Sequence, residues 1–340
     1  MTGKEFVQDG YDQPCLLVTS TVARLDPRRL ESFRAAGFRI RERYDLNDST
    51  DERALSEALV GAWGAVAGTE RYSREVLTSA PDLRVIARCG VGLDAIDERA
   101  ASDLGVAVLT TPGTNSDAVA DFTIMLMLAS LRQLAAADRA VRDGSWRHPT
   151  IGRDLTGATV AVVGVGSIGQ AVARRLAGFG CKILGVDPFA DPWTCEHLGI
   201  SLVGVETALS QADIVTIHAP LNAQTRGMIG SREMGLLPPG AVLINTARGG
   251  IVDEDALLDA LGTGHLLAAG LDVFAKEPLR IDHPFTGIDQ VLLTGHIATY
   301  SERSVHATLD RVLQGLMALW TSSRSRVNAK DASLQGLGDS

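Results

Sequence analysis

Cysteine is scarce in this chain of 340 residues. The four present, Cys15, Cys89, Cys181 and Cys195, form no C-x-x-C pair and no spacing typical of a zinc site. Reduced thiols in a cytoplasmic protein are the expectation, with no metal site. A basic excess is also missing. Lysine and arginine total 32 against 41 aspartates and glutamates, a formal net charge of −9. Nucleic acid is therefore not expected as a partner, since phosphate binding needs a basic face, although a local basic pocket for a small anion stays compatible with this balance. Long apolar runs are lacking too. No stretch reaches the roughly 18 apolar residues of a membrane helix, so no membrane partner is expected. The apolar-rich Phe122 to Leu131 reads as a buried helix, and the N-terminal MTGKEFVQDGYDQP has no signal core.

What is present is the make-up of a globular chain, 45% hydrophobic and 21% charged, long enough for two domains. After a loose leader over residues 1–13, CLLVTS, FRIRERY, GAVAG, LRVIARCG and VAVLTT read as strands separated by helical segments. A long helix is expected from Ser116 to Arg142, stopping at Asp143-Gly144. A second alternating series runs from ATVAVVGVGSIG to LLTGHIA, then one helix to Trp320 and a flexible tail. Strands alternating with helices predict parallel sheets covered on both faces. The fold class expected is α/β with two doubly wound domains, one over 113–298 and a discontinuous one over 1–112 plus 299–340.

Gly164-Val165-Gly166-Ser167-Ile168-Gly169 follows the apolar strand Thr159 to Val163 and opens an apolar helix, the context a dinucleotide fingerprint requires. Gly164 permits the tight turn, Gly166 lets backbone approach a pyrophosphate, and Gly169 lets helix pack on strand. The N–H groups near Ser167 and Ile168 would face the phosphates. A second strand, CKILGVD, ends at Asp187, followed by Pro188, and Asp187 lies 18 residues beyond Gly169. A carboxylate there accepts from the ribose hydroxyls and repels a 2′-phosphate, which favours NAD over NADP. Alone, the glycines could be a structural turn; strand, helix and acid together point to a nucleotide.

Three further segments end apolar runs with a polar residue: Arg248 in LINTARGGIVDEDAL, Glu277 in LDVFAKEPL, and His296 in VLLTGHIA. Strand ends are where open α/β sheets bind ligands. The set suits reduction of a 2-oxo acid. Histidine gives the proton, a carboxylate orients and stabilises the imidazolium, and arginine polarises the carbonyl without losing its own proton. Singly, a histidine after a strand is more often structural, Arg248 fits a surface ion pair, and Glu277 fits a turn cap. The combination carries the chemistry.

With RCGVGLDAID, TPGTNSDAVADFT, VAVVGVGSIG, HAPLNAQTRGMI, INTARGGIVDEDAL, DVFAKEPL and TGHIA in place from Leu83 to Ile297, the chain resembles the D-isomer-specific 2-hydroxyacid dehydrogenases, in their phosphoglycerate dehydrogenase-like branch. The resemblance implies a Rossmann NAD-binding domain, a flavodoxin-like substrate-binding domain, and Arg248, Glu277 and His296 as the catalytic set. It implies that the Cys89-Gly90-Val91-Gly92 loop holds the substrate carboxylate through backbone N–H groups, as an anion nest would. It further implies cofactor contacts at His218, Ala219, Pro220, Thr225, Thr246, Ala247 and Asp272, and a homodimer formed around the long helix. Trp146 is either part of the loop after that helix or plain core. Gly295 stands where the family usually has proline, and Asp121 where it has glutamate. At 340 residues, no serine-binding regulatory domain is expected.

Hydroxypyruvate or glyoxylate reduction is one alternative activity. A phosphorylated or phosphonylated acid is another, for which Arg71 and Arg88 are candidate anion ligands, each equally readable as a surface charge. From a different class, the YSE portion of TGHIATYSERS resembles C-terminal-binding corepressors, which use this fold as NAD(H)-sensing binding proteins.

Overall fold

The computed structural model describes residues 13–146 and 151–335. The leader expected over 1–13 falls almost wholly outside them, as do the last five residues of the expected tail. The described chain forms two compact units, one drawn from residues up to Thr114 and from Val305 onward, the other Asn115–Ser304. The sequence expectation put the breaks after residues 112 and 298.

In the first unit, β1 (Cys15–Val18), β2 (Arg39–Glu42), β3 (Gly64–Ala67), β4 (Val85–Arg88) and β5 (Ala107–Leu109) pair in parallel in the order β2-β1-β3-β4-β5. This is the flavodoxin-like order. The central strands β1, β3 and β4 are buried along their whole length, so they read as continuous apolar runs, whereas the edge strand β2 carries Arg39, Arg41 and Glu42. The helix Glu302–Gln335 completes this unit. Its Val305, Leu309, Val312 and Leu316 recur at helical spacing and pack on Leu16, Val18, Phe33 and Val66. It continues past the expected end at Trp320, because Leu316 to Gln335 contains neither proline nor glycine to stop it.

The second unit is a seven-stranded parallel sheet of β6 (Thr159–Val163), β7 (Lys182–Val186), β8 (Ile200–Leu202), β9 (Ile214–Ile217), β10 (Ala241–Asn245), β11 (Leu266–Leu271) and β12 (Val291–Leu293), in the order β12-β11-β10-β9-β6-β7-β8. One apolar cluster lies on each face. Burying each Val, Ile or Leu of β9 and β10 is worth about 1.5–3 kcal/mol against exposure. The single long helix expected here is two, Ser116–Leu131 and Leu134–Arg142, bent by 64°. Gln133 adopts φ 48°, a left-handed conformation that periodicity alone does not reveal. Trp146 is 72% exposed, so it is not core. Among the described residues no single helix is long and apolar enough to cross a membrane, although this bent pair passes on length and composition. Asp121 ties the first of these helices to Ser167–Ala177 through Arg175 Nε at 2.5 Å, with Asp117 on the same guanidinium at 3.2 Å.

Candidate active site

The order of the second sheet reverses between β6 and β9, and the glycine fingerprint lies at that switch point. Gly164 turns at φ 91°, and a β-carbon there would lie 2.6 Å from the Ala219 nitrogen. One at Gly169 would lie 2.1 Å from the Gly164 carbonyl oxygen. Gly166, by contrast, borders open space ahead of the helix Ser167–Ala177, whose first turn carries no acidic residue and no side-chain cap. The two crowded glycines close the turn, and the third leaves room for a phosphate at a positive helix end. Asp187 Oδ2 accepts the Val165 N–H and Oδ1 the Phe189 N–H, both at 2.9 Å. Each oxygen keeps a lone pair for a ribose hydroxyl. This end of the sheet therefore fits a dinucleotide.

Beside it, the His218 N–H donates to the Val163 carbonyl at 2.7 Å. Thr216 and His218 share one face of the chain, with Thr216 Oγ1 2.9 Å from His218 Nε2. Burial pushes the His218 imidazole down to about 3, so it stays neutral. Thr225 Oγ1 donates to the Pro220 carbonyl at 2.5 Å and closes that loop.

Arg248, Glu277 and His296 are brought together at the ends of β10, β11 and β12. Glu277 Oε2 lies 2.8 Å from His296 Nδ1, and Glu277 Oε1 accepts the Phe274 N–H at 3.0 Å. Burial pushes the Glu277 carboxyl up, but the His296 hydrogen bond and charge, the Phe274 amide and the Arg248 charge outweigh it, and the net direction is down. His296 stands at φ 57°, a conformation uncommon for a residue with a β-carbon.

Asp272, fully buried, holds it there. Its Oδ1 accepts Thr294 Oγ1 at 2.6 Å and the Ile297 N–H at 3.0 Å, its Oδ2 accepts the Ala298 N–H at 2.9 Å, and its carbonyl accepts the His296 N–H at 2.7 Å.

Other contributors were not legible as such. Asn245, the buried last residue of β10, accepts the Ala247 N–H at 3.0 Å and donates to the Arg248 carbonyl at 2.9 Å, fixing the turn from which Arg248 projects. Thr123, on the helix Ser116–Leu131, lies with its hydroxyl 3.0 Å from that of Thr246, itself an expected cofactor contact. Gly249 follows Arg248 and rests on the Phe274-Ala275 backbone. Glu254 accepts the Ala275 N–H at 2.7 Å. Only the INTARGGIVDE run itself hinted at these, through a strand-end asparagine and paired glycines.

The remaining candidates belong to the first unit. Arg88 is buried at the end of β4, its Nε donating to the Gly92 carbonyl at 3.1 Å, and Val91 is exposed. Arg71 is exposed, with its Nε 3.7 Å from Glu52 Oε1.

A doubly wound sheet with a glycine turn at its switch point and a carboxylate ending the next strand defines a dinucleotide-binding domain. Residues 124–298 match the family described as D-isomer specific 2-hydroxyacid dehydrogenase, NAD binding domain, and the chain belongs to that family. It is 43% identical to the D-3-phosphoglycerate dehydrogenase of Mycobacterium bovis over 224 residues, 66% of this chain and 42% of that one. It is 39% identical to the glyoxylate reductase of Korarchaeum cryptofilum over 255 residues, 74% of this chain and 77% of that one. The crystal structure of the TT0316 protein from Thermus thermophilus aligns with a TM-score of 0.82 at 33% identity, covering 91% of this chain and 97% of that one. The match thus spans less than half the length of the phosphoglycerate dehydrogenase and about three quarters of the glyoxylate reductase.

Proposed function

We propose that the protein interconverts a small D-2-hydroxy acid and its 2-oxo acid, with Arg248, Glu277 and His296 as the catalytic set. The observation that carries this reading is the 2.8 Å contact between His296 Nδ1 and Glu277 Oε2. An ionised Glu277 keeps a proton on Nδ1 and leaves Nε2 to exchange one with the substrate oxygen. In reduction Nε2 gives its proton to the carbonyl oxygen; in oxidation it takes the proton of the hydroxyl. Glu277 stabilises the imidazolium in both directions. Arg248 polarises the carbonyl. NAD, when bound, accepts or supplies the hydride. Gly164, Gly166, Ser167, Ile168 and Gly169 seat its phosphates, Asp187 and Pro188 its ribose, and His218, Ala219, Pro220, Thr225, Thr246, Ala247 and Asp272 border the remainder.

In the first unit, the amides of Val91 and Gly92 are the ligands for the substrate carboxylate. The Gly90 carbonyl accepts the Thr111 N–H at 3.1 Å, and the Gly92 carbonyl accepts Arg88 Nε at 3.1 Å, so both carbonyls have partners within the unit.

The protein is read as a cytoplasmic homodimer. Met125 and Leu128, one turn apart, stay 46% and 38% exposed on the helix Ser116–Leu131, and Leu134 and Val141 on the next helix are more than half exposed. A second copy would cover them. Sedimentation at twice 36.0 kDa is expected, and a monomer at micromolar concentration would overturn the dimer.

NADH consumption with glyoxylate, hydroxypyruvate, pyruvate and 3-phosphohydroxypyruvate tests the reaction. Turnover of at least one of them to the D-product is expected. Tight NADH binding without turnover of any would favour the NAD(H)-sensing, corepressor-like reading instead.

A further inference from the structure

The turn that presents Glu277 has little packing of its own. Ala275 and Lys276 are exposed, so the backbone from Phe274 to Glu277 depends on hydrogen bonds and on the close approach of Gly249. Two carboxylates hold it. Glu277 Oε1 accepts the Phe274 N–H at 3.0 Å, and Glu254 Oε1 accepts the next amide, that of Ala275, at 2.7 Å. Glu254 opens the helix Glu254–Gly262. It is free to reach sideways because Asp253 Oδ1 accepts the Asp255 and Ala256 N–H groups, both at 3.1 Å. The second oxygen of Glu254, Oε2, lies 3.5 Å from His283 Nε2. His283 Nδ1 accepts the Phe285 N–H at 3.3 Å and so caps the helical turn Pro284–Gly287, whose Phe285 is fully buried. A ring nitrogen that accepts carries no proton, so the proton of His283 sits on Nε2, the nitrogen nearer Glu254.

We propose that Glu254 and His283 are positioning residues for the proton-handling pair. His283 orients the Glu254 carboxylate, and Glu254 fixes the Ala275 amide. That fixes the backbone from which Glu277 Oε2 reaches His296 Nδ1 at 2.8 Å. One imidazole–carboxylate pair thus steadies the turn that carries the carboxylate of another. The inference rests on the reading of Glu277 as the group that keeps a proton on His296 Nδ1, and its geometry lies wholly within the second unit.

Three variants test it, with whichever of the acids named above is turned over fastest. Glu254→Ala removes both contacts and is expected to lower kcat by about tenfold to hundredfold, the scale of a small misplacement of a reacting group, with KM and the NADH Kd within about twofold. Glu254→Gln still accepts the Ala275 N–H, but its amide N–H groups then meet the protonated His283 Nε2, so its kcat is expected between native and alanine. His283→Asn keeps an acceptor for the Phe285 N–H and is too short to reach Glu254. It is expected to lower kcat by about threefold with the thermal midpoint unchanged. In the double variant of Glu254→Ala with His283→Asn, the loss should equal that of Glu254→Ala alone, because His283 acts only through Glu254.

A further readout needs no turnover. The ¹⁵N shifts of the His296 ring, assigned by their absence in His296→Ala, report which nitrogen holds the proton at alkaline pH. Nδ1 is expected in the native chain, and a mixture of both tautomers in Glu254→Ala. If Glu254→Ala does not fold, Glu254→Gln and His283→Asn carry the same two measurements. A folded Glu254→Ala chain with native kcat or the native His296 tautomer overturns the proposal, as do additive losses in the double variant. If none of the acids is turned over, the reaction reading fails on its own, and the ring shifts still decide this one.

Discussion

A β-carbon placed on Gly249 would lie 1.8 Å from the carbonyl carbon of Phe274. The turn that presents Arg248 and the turn that presents Glu277 are therefore in backbone-to-backbone contact, a spacing that only glycine allows. Gly249→Ala must push them apart. Because misplacing a reacting group by about 1 Å costs on the order of 100-fold in rate, kcat is expected to fall by about that factor with the NADH Kd spared. Steady-state kinetics beside fluorescence titration of NADH checks this, and an unchanged kcat in the folded variant would refute it.

Asn245 fastens the same turn from the other side. Asn245→Ala leaves the Ala247 N–H and the Arg248 carbonyl without their buried partners, a cost of about 1–3 kcal/mol per group. The thermal midpoint should drop, and kcat should drop further than the loss of folded protein explains. Asn245→Asp keeps the acceptor and loses the donor, so it should fall between native and alanine in both measurements. An aspartate variant no better than alanine would remove the assigned role.

The Glu277 carboxyl is held below its ordinary value near 4.5. A carboxyl depressed by folding stabilises the native state fully above its unfolded value and loses that contribution as pH falls through the folded one. The native chain and Glu277→Gln should therefore differ most in thermal midpoint near neutral pH, with the gap closing below about 4.5. Rate at neutral pH should fall by about 100-fold or more as His296 loses its orienting carboxylate. A gap that widens on acidification would reverse the sign of the argument.

Asp187 is held by the Val165 and Phe189 amides, so its carboxylate is aimed before any nucleotide arrives. The native chain is expected to prefer NADH over NADPH. Asp187→Ser should reduce that preference by about tenfold or more, chiefly by raising KM for NADH. A native preference for NADPH would contradict the role given to this carboxylate.

All five strands expected in the first unit appear, because fully buried parallel strands are written as uninterrupted apolar runs such as CLLV and GAVA. The fingerprint glycines, Asp187, Arg248, Glu277 and His296 stand out as candidates for a related reason: each sits where an apolar run stops. What escaped the sequence depends on groups distant in the chain. The break at Gln133 costs a left-handed residue that no spacing announces. Asp272 is expected from its motif as a cofactor contact, and only the fold adds that its carboxylate also accepts from Thr294, Ile297 and Ala298. Arg88 reads in the sequence as a candidate anion ligand at a strand end, and only the fold adds that its Nε donates to the Gly92 carbonyl.

The proposed catalytic set Arg248, Glu277 and His296, with Asn245, Gly249 and Asp272 around it, lies between Asn245 and Ala298, and the loop proposed to take the substrate carboxylate lies at Cys89–Gly92. On the proposed roles, two non-overlapping tracts of sequence carry two separable traits. Variation in the earlier tract would then retune which acid is admitted while the later one is inherited intact, a division of labour that would let one scaffold diversify its diet without relearning its chemistry.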